Sequence, residues 1–171
     1  MQMKNLPLNE MLHVLAWLEG IWITDEPAIV QFPTMKQSMN YYDQINITSL
    51  GQPWLNYVAQ SWHAETGDPM HRETGFVQIT SDNKVAFYLI NPLDMVTVEQ
   101  GELTNNNMTI DLKSTKIVSN IGMMKIPSFS SVKETRRVYN FDGNNLELIF
   151  YMATEKTPVL TEHLRAKYRK M

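Results

Sequence analysis

The sequence predicts an all-β fold, a roughly ten-stranded antiparallel up-and-down β-barrel with a short N-terminal helix. Three observations predict it. Apolar residues alternate with a period of two over most of the chain beyond Gly20. Short clusters of Gly, Pro, Asn and Asp separate these runs, which suits hairpins and not the long crossovers of a parallel sheet. Nine or ten consecutive strands would expose two hydrogen-bonding edges unless the sheet closed on itself. A barrel of that strand number has an interior wider than its side chains fill, so a ligand cavity is expected.

The helix comes first. Leu8, Met11, Leu12, Leu15 and Leu18 follow helical spacing, and Gly20 ends the segment as a left-handed cap would. Strands are then predicted over 41–50, 54–63, 74–80, 85–90, 95–101, 108–112, 132–141, 146–152 and 164–168. The turns between them include Gly51-Gln52-Pro53, Gly67-Asp68-Pro69, Ser81-Asp82-Asn83, Asn105-Asn106-Asn107 and Asp142-Gly143-Asn144-Asn145. Ser114 to Ser131 is the longest irregular stretch, with Gly122 and Pro127 inside it. No repeat or linker divides residues 1–171, which read as one domain.

Composition excludes several classes of function. At 171 residues one domain can bury about 70% of its unfolded surface. Hydrophobic content of 43% with 19% charged residues describes a globular chain and not a disordered one. A net charge of −3 supplies no general attraction to nucleic acid or an anionic membrane. With no cysteine there is no disulfide, thiolate nucleophile or iron–sulfur cluster. The amino terminus lacks a basic-then-apolar signal pattern, and no apolar run approaches the ~18 residues of a membrane span. The expected location is cytoplasmic, with the nucleus also open. The triplets Asn46-Ile47-Thr48 and Asn107-Met108-Thr109 are therefore not read as glycosylation sites.

Several motifs in register resemble the nitrobindin family. They are Phe32-Pro33-Thr34-Met35, Gly51-Gln52-Pro53-Trp54-Leu55-Asn56-Tyr57, Ser61-Trp62, Pro69-Met70-His71-Arg72-Glu73-Thr74-Gly75-Phe76, Met152-Ala153-Thr154 and His163-Leu164. The similarity runs from about Trp17 to Tyr168, and within animals it is strongest to the nitrobindin domain of a THAP-type zinc-finger protein. The resemblance implies one barrel domain over residues 1–171, related in shape to fatty-acid-binding proteins and holding ferric haem b. It implies His163 as the ligand of the iron, with Thr34, Met70, His71, Asn91 and Met152 as pocket residues. It further implies nitric oxide binding and isomerisation of peroxynitrite to nitrate, with no general base beyond the haem iron. Expected partners are haem, nitric oxide and peroxynitrite; nucleic acid and membrane are not expected, and a homodimer is left open. Two rival readings use the same barrel: a haem-free carrier of a small apolar, lipid-like ligand, and a non-catalytic interaction domain.

The chain departs from the family in two places. Of the Gly-x-Trp-x-Gly-x-Gly signature of the first strand, Gly20-Ile21-Trp22-Ile23-Thr24-Asp25-Glu26 keeps only Gly20 and Trp22. Asn91-Pro92-Leu93-Asp94 stands where relatives have a small glycine-containing turn. Parity raises a third question. Simple alternation puts His163 with Arg165, Lys167 and Arg169, opposite the apolar Leu164, Ala166 and Tyr168. An inward His163 therefore requires that it precede the strand or that a bulge break the alternation. Among the other polar residues, His13 and His63 read as exposed, and Arg72, Glu73, Glu134, Arg136 and Arg137 read as a solvated barrel exterior.

Overall fold

The computed structural model describes residues 6–33, 35–92, 95–119 and 131–171. Its strands are β1 (Gly20–Ile23), β2 (Ala28–Val30), β3 (Met39–Ser49), β4 (Leu55–His63), β5 (Pro69–Ser81) and β6 (Lys84–Asn91), followed by β7 (Met95–Thr104), β8 (Thr109–Ser119), β9 (Val132–Phe141), β10 (Asn145–Thr154) and β11 (Thr161–Lys170). From β3 to β11 each strand pairs antiparallel with the next. The expected barrel is thus present.

Closure is made by a divided strand. Both β1 and β2 lie between β11 and β3: Trp22 faces Lys170 and Ile45, while Val30 faces Leu164 and Met39. Ten positions around the barrel are therefore filled by eleven strands. The interruption, residues 24–27, coincides with the part of the first-strand signature that this chain has replaced, and it contains Pro27, which donates no ladder hydrogen bond. Thr24 bridges the break, since its Oγ1 accepts from the Asp43 amide at 2.9 Å and its own amide donates to the Asp43 carbonyl at 3.1 Å.

The N-terminal helix is a 3₁₀ helix over Glu10–Leu15, shorter than the expected 8–18. Leu12, Leu15 and Leu18 are fully buried and spaced by three, so a three-residue turn stacks them on one face. Met11, which the α-helical period would bury, is 59% exposed. The segment plugs one end of the barrel. Trp17 stacks on Phe141 and donates from Nε1 to the Asn107 carbonyl, and Trp22 Nε1 donates to the Leu18 carbonyl.

Above that plug the interior is filled by Trp22, Ile45, Ile47, Leu55, Val77, Phe87, Ile110, Tyr139, Leu146 and Tyr168, among other buried side chains. The sheet is drawn tightly around this core. Gly75 and Gly101 pass so close to the next strand that an added Cβ would lie 1.8 Å from the Tyr88 carbonyl oxygen and 1.7 Å from that of Asp111. Neither has room for a side chain without moving backbone. Gly101→Ala should therefore destabilise the protein by about 1–3 kcal/mol, the range for forced overpacking. Urea denaturation checks this, with a lower midpoint and unchanged slope expected.

Candidate functional site

Away from the plugged end the inward-facing residues change character. Tyr41, Asp43, Ser61, His71, Glu73, Asn91, Thr97, Glu99, Thr135 and Arg137 share the interior parity of their strands, and most are buried. At their centre lies Arg137, only 5% exposed. Its Nη1 and Nη2 donate to the two carboxylate oxygens of Glu73 at 2.8 and 3.1 Å, and Nε donates to Glu99 at 2.9 Å. Thr135 Oγ1 donates to the other Glu99 oxygen at 2.9 Å, and the paired hydroxyls of Tyr57 and Tyr139 lie below. Burial alone disfavours ionised Glu73, but the guanidinium and neighbouring His71 hold its carboxyl down to about 2. Burial pushes Glu99 the other way, upward.

The expectation that Glu73 and Arg137 belong to a solvated exterior is therefore corrected. Arg136 and Arg137 are consecutive in one strand, so alternation must turn one of them inward. Arg136 takes the outside and makes a bidentate pair with Asp111 at 2.8 and 2.7 Å, while Arg72 and Glu134 are exposed.

The parity question at His163 is resolved by a bulge. In the β10–β11 ladder Phe150 faces Leu164 and Tyr151 faces Glu162, which leaves His163 as the extra residue. The ring lies parallel to Phe32 at a centroid distance of 4.6 Å and edge-on to Phe150 at 6.1 Å. Phe150 in turn has the Arg137 guanidinium over its face, 5.1 Å from the ring centroid. The His163 carbonyl is tied to the end of the divided strand by the Gln31 amide at 2.9 Å. Burial, aided by the charge of His71, pulls the His163 pKa down to about 4, so the imidazole is neutral at physiological pH. A surface groove of about 1320 Å³ along β2, β10 and β11 has Phe32, Met35 and His163 among its lining residues.

The other expected site residues fall as follows. His71 faces inward on β5, with Nε2 3.8 Å from Glu73 and Nδ1 3.1 Å from the Asn91 side-chain nitrogen. Asn91 is buried at the end of β6, and Met152 is half-buried on the inward parity of β10, opposite Thr161 and Thr135. Met70 is 36% exposed, within a register shift of β5 against β4. Thr34 lies outside the described residues, as do Leu93, Asp94, Gly122 and Pro127. His13 is exposed on the 3₁₀ helix; His63 is half-buried, with Nδ1 accepting from the amides of Glu65 and Thr66. Among the described residues no cluster of three or more His, Asp or Glu side chains is arranged to hold a bare metal ion.

A closed antiparallel barrel, with a polar half and an inward neutral histidine, defines the class of barrel able to hold a planar metallocofactor. Residues fit such a group here: His163 is neutral and braced by two aromatic rings, and the buried Tyr41 hydroxyl has no hydrogen-bond partner among the described residues. Comparison with known proteins agrees. Residues 11–170 match the family described as "THAP4-like, heme-binding beta-barrel domain". The mouse protein named peroxynitrite isomerase THAP4 is 37% identical over 165 residues, covering 96% of this chain and 28% of that protein. The human THAP4 is 34% identical with coverage of 96% and 27%. An Arabidopsis thaliana protein named peroxynitrite isomerase Rv2717c is 28% identical over 94% of this chain and 89% of its own length. The crystal structure of Rv2717c from M. tuberculosis superposes with a TM-score of 0.82 at 25% identity, covering 96% of this chain and 99% of that one. The chain belongs to the THAP4-like haem-binding β-barrel family, the nitrobindins. It spans a little over a quarter of the length of its animal relatives.

The buried ion network generates a prediction. Arg137→Met leaves two carboxylates without a counter-charge and should cost about 3–5 kcal/mol at pH 7. Glu73 is depressed in the folded state, so the stability it draws from Arg137 is present above its ordinary value of 4.5 and is lost as pH falls from there toward 2. The deficit of the variant, measured by urea denaturation at pH 7 and pH 4, should shrink at the lower pH.

Proposed function

We propose that this chain binds ferric haem b through His163, binds nitric oxide at the iron, and isomerises peroxynitrite to nitrate. The observation that carries the reading is the bulge in β11, which turns a neutral, aromatic-braced imidazole toward the barrel interior. Haem binding is the property of the family, and peroxynitrite is named for relatives that match nearly the whole of this chain.

The roles follow from side-chain chemistry. His163 would hold the iron through one neutral nitrogen, and as the single protein ligand it would leave the metal accessible to a small molecule. Bound haem iron supplies Lewis acidity toward an anionic oxidant. Phe32 covers one face of the His163 ring, and Phe150, set at a right angle to it, helps fix its plane. His71, held near Glu73 and Asn91, offers a polar contact at the pocket wall; Met70, Met152 and Thr34 belong to the proposal as further pocket residues. The charge of Arg137 is already neutralised by Glu73 and Glu99, which take three of its donors, so little attraction is left for a fatty-acid carboxylate. This disfavours the lipid-carrier reading. A cytoplasmic location belongs to the same proposal, with the nucleus and a homodimer left open.

Titration of the purified protein with ferric haem, beside His163→Ala, tests the reading. The wild type should give a saturating one-to-one Soret band and accelerate conversion of peroxynitrite to nitrate. The variant should lose or shift the band and fall to the rate of free haem. Identical, weak and non-saturating spectra from both proteins would overturn it.

A further inference from the structure

Asp43 is a third interior carboxyl, beside Glu73 and Glu99, and the reading above assigns it no role. It lies on β3 between Tyr41 and Ile45, on the strand's inward parity, and Tyr168 of β11 donates to its Oδ2 at 2.7 Å. Tyr168 lies five residues beyond His163 on the same strand. The charged groups acting on Asp43 come from β5: His71, which favours its ionisation, and Glu73, which opposes it. On β3 itself Tyr41 is 4% exposed and its hydroxyl has no partner among the described residues. The facing residues Ser61 of β4 and Thr24, beside the strand break, carry no charge. Burial raises the Asp43 carboxyl to about 6, whereas Arg137 and His71 lock Glu73 in its ionised form. Asp43 is thus an interior carboxyl that can change charge near neutral pH, and, unlike Glu99, it has no guanidinium bonded to it among the described residues.

We infer that Asp43 couples the oxidation state of the bound haem iron to proton uptake inside the barrel. This rests on the haem reading above. A buried negative charge favours the more positive ferric state, because the interior screens charges poorly. When a one-electron donor reduces the iron, that stabilisation is lost and the Asp43 carboxylate takes one proton from solvent. One electron and one proton enter together, and no bond to substrate forms or breaks. Asp43 is a tuning residue and not a catalytic one.

The test is the reduction potential of the haem-loaded protein, measured by spectroelectrochemistry from pH 5 to pH 8. In the wild type the equilibrium constant for reduction should rise as pH falls, by up to tenfold per pH unit, or about 59 mV for one electron. Asp43→Asn retains an oxygen to accept from Tyr168 and should give a flat profile at higher potential. Tyr168→Phe removes a hydrogen bond that holds the carboxyl down, so the pH-dependent region should move upward. A flat wild-type profile would overturn the inference, as would a slope kept in Asp43→Asn and lost in His71→Gln. Absence of a Soret band in the wild type would overturn the haem reading and this inference together; a normal band with a flat profile would overturn this inference alone.

Discussion

The clamp on Arg137 is the contact on which the division of this barrel depends. A guanidinium inside a protein is tolerated only when its donors are met, and Glu73, Glu99 and the Tyr57 hydroxyl meet them from three different strands. On one side of the clamp the interior is closed by packed apolar side chains and the 3₁₀ plug. On the other it carries polar groups and the inward histidine. Such a network adds little net stability compared with an apolar core of the same shape, because desolvation offsets most of the attraction. Its effect is geometric. It joins β5, β7 and β9 at one height, and it places a cation under Phe150, whose ring edge supports His163.

The divided first strand and the bulge in β11 belong to the same local arrangement. Where β1 stops, Thr24 takes over the pairing with Asp43; where β2 ends, Gln31 holds the carbonyl of the bulged His163. In both places a residue flanking the divided strand supplies backbone pairing that the regular ladder omits. Where the glycines of the first-strand signature are replaced, this chain has a short break between β1 and β2, and His163 lies in the bulge beside it.

Much of this was legible in the residues. Period-two runs and turn clusters gave the barrel, because closure is the economical way to satisfy so many short antiparallel strands. The flaw in the parity of His163 also pointed to its own remedy, a bulge. The 3₁₀ plug was hidden because leucines at 12, 15 and 18 fit a three-residue turn and an α-helix almost equally well. β1 and β2 were too short to register as alternation. The Glu73–Arg137–Glu99 network was missed although the adjacent Arg136 and Arg137 carried its signal. Which of the two turns inward depends on partners about 40 and 60 residues away in sequence, beyond the reach of any local pattern.

The most direct test of the central claim is a crystal structure of the haem-loaded protein with an anomalous difference map at the iron edge. The account predicts one iron peak inside the barrel, bonded to a ring nitrogen of His163, with the β11 bulge and the Arg137 clamp intact. An iron held by another residue, or a His163 ring turned outward beside Arg165, would contradict it.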